Sequence, residues 1–262
     1  MSGEKKIVAA IDVGTECIKA IVMDESAGIV GRSVIPASGY FRHRVEEALD
    51  GALDDAKLER SDIDSISATG FGASCVENAA AQLGETACHA RGAFFHHKGP
   101  MSVIDIGGRD PKVLHVNENG QVLEAHMVRR CAVGIGTFLM FTARHLDVHP
   151  TRLQELADDA EEPADIGSYC SVFAGSEVLE QLREGTNREQ IALGAMRSVA
   201  ERIFEIGGLQ EPVRVTGGVA EYFPGVLKSL SEMTGIEIEA VPEPIMAGAI
   251  GAALKTINTP GP

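Results

Sequence analysis

The chain has 262 residues, 44% of them apolar and 23% charged, a globular composition that excludes disorder, collagen-like repeats and coiled coil. At about 150 residues per domain this length suits one large domain or two small lobes. The 23 basic and 38 acidic residues leave a net charge of −15, which repels DNA and anionic membranes. The 29 glycines, against 3 tyrosines and no tryptophan, favour turns that approach phosphates over aromatic platforms that stack on bases. Five cysteines are an odd number and too few for a secreted disulfide scaffold, so free thiols in a reducing compartment or metal ligands are expected. The run Ile7 to Ile11 is too short for a signal-peptide core, and Pro244 to Leu254 is about half a membrane span, so a soluble cytoplasmic chain is expected.

In chain order, Lys6 to Ala10 and Ile18 to Met23 read as strands joined by a glycine turn, and Gly28 to Val34 as a third strand of a meander. Arg44 to Ala56 carries a helical stripe at Val45, Ala48, Leu49, Ala52 and Leu53, and Ile63 to Ala68 is a short strand ending at Thr69-Gly70. The pattern then restarts with strands at Met101 to Ile106, Val113 to Val116 and Val122 to Met127. The loop IDIGGRDPKV answers the earlier IDVGTECIKA: both read Ile-Asp-hydrophobic-Gly, with a lysine five residues after the glycine. Such a repeat implies two similar lobes. Helices follow at Gly136 to Leu146, Val172 to Arg183 and Gln190 to Ile206, with an acidic connection from Ala157 to Ile166. Then come a strand at Val213 to Val215 feeding Thr216-Gly217-Gly218, a strand at Ile236 to Val241, and a small-residue helix from Met246 to Thr256.

A strand ending in Asp-x-Gly that turns straight into another strand offers backbone N–H groups to phosphate oxygens, with a carboxylate to hold Mg²⁺ through water. Asp12-Val13-Gly14-Thr15 and Asp105-Ile106-Gly107-Gly108 both have this form, and Gly217-Gly218 adds a third glycine turn after a buried strand. Either loop alone could be an ordinary hairpin, so the specificity lies in the set. The set resembles the ATP-binding core shared by actin, the heat-shock chaperones and the sugar kinases, an α/β architecture of two ribonuclease-H-like lobes. The resemblance implies a first lobe over 1–98, with the C-terminal helix 246–262 packing back on it, and a second lobe over 99–245. It makes Asp12 and Asp105 catalytic and Mg²⁺-linked, and places Gly14, Thr15, Lys19, Gly107, Gly108, Gly217 and Gly218 around ATP. Glu177 is a candidate ribose contact or a plain helix-surface carboxylate.

Cys131 and Cys170 each stand immediately before an expected helix, where free N–H groups and the helix dipole favour a thiolate or an anionic cluster. On spacing alone they are ligands or small buried apolar residues. Two thiolates cannot complete a four-cysteine cluster, so as ligands they would need a second chain. Cys17, Cys75 and Cys88 read as structural, although Cys17 lies in the first loop, where a thiol could be redox-sensitive. Cys88, His89, His96 and His97 match no standard zinc spacing. Arg129-Arg130 beside Cys131 is either a solvated pair or a charge match for an acidic partner.

A narrower resemblance rests on CHARGA (88–93), IDIGGRDPKV (104–113), CAVGIG (131–136), CSVFAGSE (170–177) and TGGVAE (216–221), which are similar, in order, to blocks of the ATPase activators of 2-hydroxyacyl-CoA dehydratases and the ATPase subunits of benzoyl-CoA reductases. It implies that Cys131 and Cys170 are ligands of a 4Fe-4S cluster shared between two chains. The partners it implies are a second ATPase subunit, an acyl-CoA reductase or dehydratase, and ferredoxin as electron donor. The activity it implies is ATP hydrolysis that drives low-potential electrons. The chain departs from the family pattern at Glu16, Cys17, Arg109, Pro111, Val133, Ile135, Thr137 and Glu221. This drift ranks a benzoyl-CoA reductase-type subunit of anaerobic aromatic degradation ahead of a homodimeric dehydratase activator. A sugar-kinase-like phosphotransferase without a cluster, or a non-catalytic nucleotide-gated subunit, are the readings of other classes.

Overall fold

The computed structural model describes residues 6–127, 134–167 and 170–258. The elements are β1 (Ile7–Val13), β2 (Cys17–Asp24), β3 (Ile29–Pro36), α1 (Phe41–Ala56), β4 (Ser65–Thr69), β5 (Ala81–Gln82), α2 (Glu85–His96), β6 (Met101–Asp105), β7 (Lys112–Val116) and β8 (Val122–Met127). They continue with α3 (Ile135–His145), α4 (Leu153–Asp158), α5 (Ser171–Glu184), α6 (Arg188–Phe204), β9 (Val213–Thr216), α7 (Gly218–Tyr222), α8 (Pro224–Thr234), β10 (Ile238–Ala240) and α9 (Ala247–Ile257). Two compact units result, one built from Met1–Gly99, Asn117–Val122 and Ile245–Pro262, the other from Pro100–Val116 and Leu123–Pro244.

Each unit holds one five-stranded sheet, and the two sheets have the same topology. The first runs β3-β2-β1-β4-β5 and the second, read from the same side of the repeat, β8-β7-β6-β9-β10. In both, the first strand pairs antiparallel with the second (β1 with β2, β6 with β7) and parallel with a later one (β1 with β4, β6 with β9). The register repeats as well. Asp12 lies opposite Lys19 and Thr69, and Asp105 opposite Lys112 and Thr216. Each threonine precedes a glycine of positive φ, Gly70 at 86° and Gly217 at 98°. A Cβ on Gly70 would lie 2.8 Å from Val13 O, and one on Gly217 would lie 2.4 Å from Ile106 O, so only glycine lets these turns close against the aspartate strand.

Strand alternation decides which side chains meet the helices. In β1, Ala9, Ile11 and Val13 pack with Val45, Ala48, Leu49 and Ala52 of α1. Val8 and Ala10 point the other way, into a cluster with Ala249, Ile250, Ala252 and Ala253 of α9. Asp12 shares the parity of Val8 and Ala10 and therefore lies on the α9 face. In the second unit, Ile104, Ile106, Val113, Val213 and Val215 form one core with α3, α6 and α8, and Asp105 has the opposite parity to Ile104.

Strand β1 is longer than its apolar run suggests. It continues through Asp12 to Val13, because Asp12, Thr69 and Lys19 hold paired positions in the ladder. Helix α2 was not expected from the sequence. Its neighbours are the reason: Gly92 and Gly251 let α2 and α9 touch backbone to backbone, a Cβ on Gly92 lying 2.0 Å from Ala247 O and one on Gly251 1.8 Å from Cys88 O. Helix α2 thus buries Cys88, His89, Ala90, Gly92 and Ala93 together and shows no clean polar stripe. Helices α4, α7 and α8 were likewise not expected, although Pro224 at the first turn and Gly235 at the C-cap of α8 are ordinary helix punctuation. Among the described residues, no helix is long and apolar enough to cross a membrane.

Candidate nucleotide and cluster-ligand sites

In the first unit the turn between β1 and β2 is closed by the Gly14 N–H donating to Cys17 O at 3.1 Å. A side chain on Gly14 would meet that same oxygen at 2.8 Å and Lys19 Nζ at 3.1 Å. Thr15 sits at the tip, half-buried. Lys19 Nζ lies 2.7 Å from Asp12 Oδ2, a cross-strand ion pair in which the carboxylate is 2% and the lysine 12% exposed. Both oxygens of Asp12 are buried, and beyond the Lys19 ion pair neither accepts a hydrogen bond among the described residues. Beside them lie Gly248, whose Cβ position is 2.8 Å from Asp12 Oδ2 and 2.9 Å from His89 Nε2, and the buried His89 itself. A buried carboxylate with unused acceptor capacity, flanked by a lysine and a glycine turn, fits a hydrated divalent cation and phosphate oxygens.

The second unit repeats the arrangement. Asp105 is buried and accepts from Lys112 Nζ at 3.1 Å. Gly107 has open space where a Cβ would stand. Gly108 accepts through its carbonyl from Thr137 N at 3.2 Å and Thr137 Oγ1 at 3.3 Å, and Ile135 N donates to Arg109 O at 3.2 Å. The first turn of α3 therefore rests directly on the second loop. Gly134 and Gly136 permit this approach, since Cβ atoms there would lie 2.3 Å from Gly108 O and 2.8 Å from Gly107 O. The Gly217 N–H donates to Pro244 O at 2.8 Å, and Gly218 begins α7. Thr137 thus holds the loop through both its N–H and its hydroxyl.

Glu177 lies on α5, and its Oε2 accepts from the Gly167 N–H. Its carboxylate secures the backbone that leads toward Cys170. Cys170 is a half-buried thiol, in no disulfide, at the N-cap of α5. The first-turn residues Val172 and Phe173 are exposed, at 59% and 71%. Helix α5 packs on α3 through Gly175, where a Cβ would be 3.0 Å from the Phe141 ring. Cys131, the family-variant Val133 and Arg129-Arg130 lie outside the described residues.

Cys17 and Cys88 are poor thiolates. Burial raises Cys17 above the ordinary thiol value, with Lys19 opposing and Glu16 and Asp12 reinforcing the shift. This favours the structural role over redox sensitivity. Burial pushes Cys88 up to about 11, against a hydrogen bond with Thr69 and the charge of Lys255. His96 is lowered by burial and by Lys98. Gly70, Gly134, Gly136 and Gly248, to which the sequence analysis assigned no site role, line the loops. Their signal was glycine adjoining or facing a motif, and the partners they accommodate are distant in sequence.

Two sheets of identical order, each with an Asp-x-Gly turn backed by a cross-strand lysine and a Thr-Gly corner, define the α/β fold of the actin-like ATPases and sugar kinases. Residues 10–255 match the BadF/BadG/BcrA/BcrD ATPase family, and the chain belongs to it. It is 39% identical over 248 residues to the (R)-2-hydroxyglutaryl-CoA dehydratase activating ATPase of Acidaminococcus fermentans, covering 93% of this chain and 94% of that one. It is 32% identical over 266 residues to one of the subunits of the benzoyl-CoA reductase of Thauera aromatica, covering 95% and 92%. The solved activator of the 2-hydroxyisocaproyl-CoA dehydratase from Clostridium difficile with bound ADPNP superposes with a TM-score of 0.90 at 32% identity, covering 96% of this chain and 94% of that chain. The greater identity to a dehydratase activator reverses the order inferred from the drifted loops, where the reductase component stood first.

Proposed function

We propose that the chain is the ATP-hydrolysing activator of a 2-hydroxyacyl-CoA dehydratase, and that it delivers electrons to its partner enzyme in steps driven by nucleotide turnover. The observation that carries this reading is Cys170 at the N-cap of α5 on an otherwise actin-like lobe, a position a sugar kinase does not require. Support comes from the 39% identity to an activating ATPase along nearly the whole chain. In this reading the two units are the two lobes. Asp12, Gly14, Thr15 and Lys19 in the first unit, and Asp105, Gly107, Gly108, Gly217 and Gly218 in the second, are each assigned to nucleotide or Mg²⁺ contact. Glu177 is assigned first to holding the Gly167 backbone and, through it, the approach to Cys170. A ribose contact is its second assignment.

Cys170 and Cys131 would hold a 4Fe-4S cluster together with the same pair from a second chain, and the described half of that donor set fits. The thiol is in no disulfide, it is partly accessible, and it sits where the helix dipole favours an anionic ligand. When bound, such a cluster supplies a one-electron carrier. The chain's own contribution is mechanical. Thr137 and Ile135 tie the first turn of α3 to the Gly108-Arg109 loop, so a change at the phosphate loop is passed to α3 and, through the Phe141–Gly175 contact, to α5. Exposed Val172 and Phe173 beside Cys170 suit a surface that a partner chain covers.

The test is anaerobic purification with iron and sulfide analysis, together with ATP-dependent activation of a 2-hydroxyacyl-CoA dehydratase. About four irons per two chains, lost in Cys170→Ala, is the expected result. Absence of iron, with phosphoryl transfer to a sugar, would replace this reading by the kinase. ATP-dependent activation of a benzoyl-CoA reductase alone would restore the reductase reading.

A further inference from the structure

We infer that the outer strands of the second sheet carry a binding site for a zinc-class divalent ion, formed by His115 of β7 and Glu124 and His126 of β8. One ligating atom from each of these side chains lies within 4.8 Å of the other two. The imidazoles meet edge to face, with centroids 5.6 Å apart and planes at 85°, and His126 Nε2 is 3.4 Å from Glu124 Oε2. Strand β8 is the edge of its sheet, and its side chains Glu124 and His126 are exposed while His115 is half-buried. Gly208, with φ of 75°, closes one side. A Cβ there would be 3.6 Å from His115 Nε2 and 4.0 Å from His126 Cδ2, so the backbone packs against both rings without filling the space between the donors.

The donor set selects the ion. Two imidazoles and one carboxylate suit Zn²⁺ and its transition-metal neighbours, whereas Mg²⁺ and Ca²⁺ prefer oxygen ligands throughout. Bonds of about 2.0–2.1 Å place tetrahedral donors about 3.3 Å apart. The His126 Nε2–Glu124 Oε2 separation of 3.4 Å is already near that value, and the other donor pairs, within 4.8 Å, have to close by up to about 1.5 Å. Three protein ligands leave a fourth position for water or for a group on another molecule. The net charge of −15 raises the local concentration of cations. Bound there, the ion bridges β7 to the edge strand β8 and pins a strand that otherwise has a neighbour on one side only.

Titration of the full-length Cys131→Ser/Cys170→Ser chain with Co²⁺, followed in the visible, and with Zn²⁺, followed by calorimetry, removes the thiolates assigned to the cluster, so its outcome is independent of the proposed function. The expected result is one ion per chain with a cobalt spectrum that lacks a thiolate charge-transfer band. Affinity should fall on the order of 100-fold in His115→Ala and in His126→Ala, and on the order of tenfold in Glu124→Gln. Far-UV circular dichroism confirms that the variants fold. No cobalt spectrum, a thiolate band in place of imidazole ligation, or undiminished binding in folded His126→Ala would each overturn the assignment.

Discussion

Replacing Gly251 by Ala puts a methyl group where α9 touches α2. The new Cβ would lie 1.8 Å from Cys88 O, 2.6 Å from Cys88 C and 2.9 Å from Cys88 Cα, all backbone atoms. Ordinary contact begins near 3.4 Å, so the helices must part by about 1.6 Å at this point. They cannot pivot freely about it, because Gly92 makes a second contact of the same kind against Ala247. Separation loosens Ala249, Ile250, Ala252 and Ala253 from Val8 and Ala10 of β1. Overpacking of this severity costs about 3 kcal/mol or somewhat more, and Ala recovers about 1 kcal/mol of helix propensity. The net destabilisation is about 2–3 kcal/mol, or a fall in Tm of about 4–12 °C. Gly84→Ala is the control, since Gly84 has φ −65° and open space at its Cβ position, and its Tm should stay within about 2 °C. Thermal unfolding followed by circular dichroism gives both values. A Gly251→Ala protein as stable as its parent would refute the view that backbone contact seats α9 on the sheet.

Gly248→Ala lies on the same helix but meets side-chain atoms, Asp12 Oδ2 and His89 Nε2, which can move. The expected outcome is a stability loss of about 1 kcal/mol or less with ATP hydrolysis reduced at least on the order of tenfold; hydrolysis reduced no more than stability would count against the proposed catalytic role of Asp12. Cys88 gives a pH signature. Its pKa is raised from 9.0 to about 11 in the fold, so the folded state favours the thiol. Its contribution is fully present below pH 9 and is lost as pH rises through about 11, costing roughly 2–3 kcal/mol across that window. Denaturant unfolding of the parent and of Cys88→Ala between about pH 8 and 11 should show a smaller pH slope in the variant, and equal slopes would contradict the assigned burial effect.

The duplication was legible because Ile-Asp-x-Gly with a following lysine is a local pattern, and cross-strand pairing converts a fixed spacing into a fixed contact. The seven-residue step from Asp12 to Lys19, like that from Asp105 to Lys112, spans a tight hairpin whose ends must meet. The helical stripe of α1 was legible for the same reason, since its period of 3.6 needs nothing but the residues that display it. Helix α2 was not. Its partner α9 lies some 155 residues further along the chain, and the small and polar residues that let the two backbones touch do not make an apolar stripe.

Sequence alone determined the α/β class, the repeated Asp-Gly and Thr-Gly turns and the chemistry of the candidate residues, because each depends on local spacing or on side-chain type. Tertiary structure decided which face of β1 carries Asp12, that α9 covers that face with Gly248, and that α3 rests on Gly108. It also decided that His115, Glu124 and His126 converge on neighbouring strands. These depend on parity within a ladder and on close contacts between segments far apart in the chain, and no window along the sequence contains both partners.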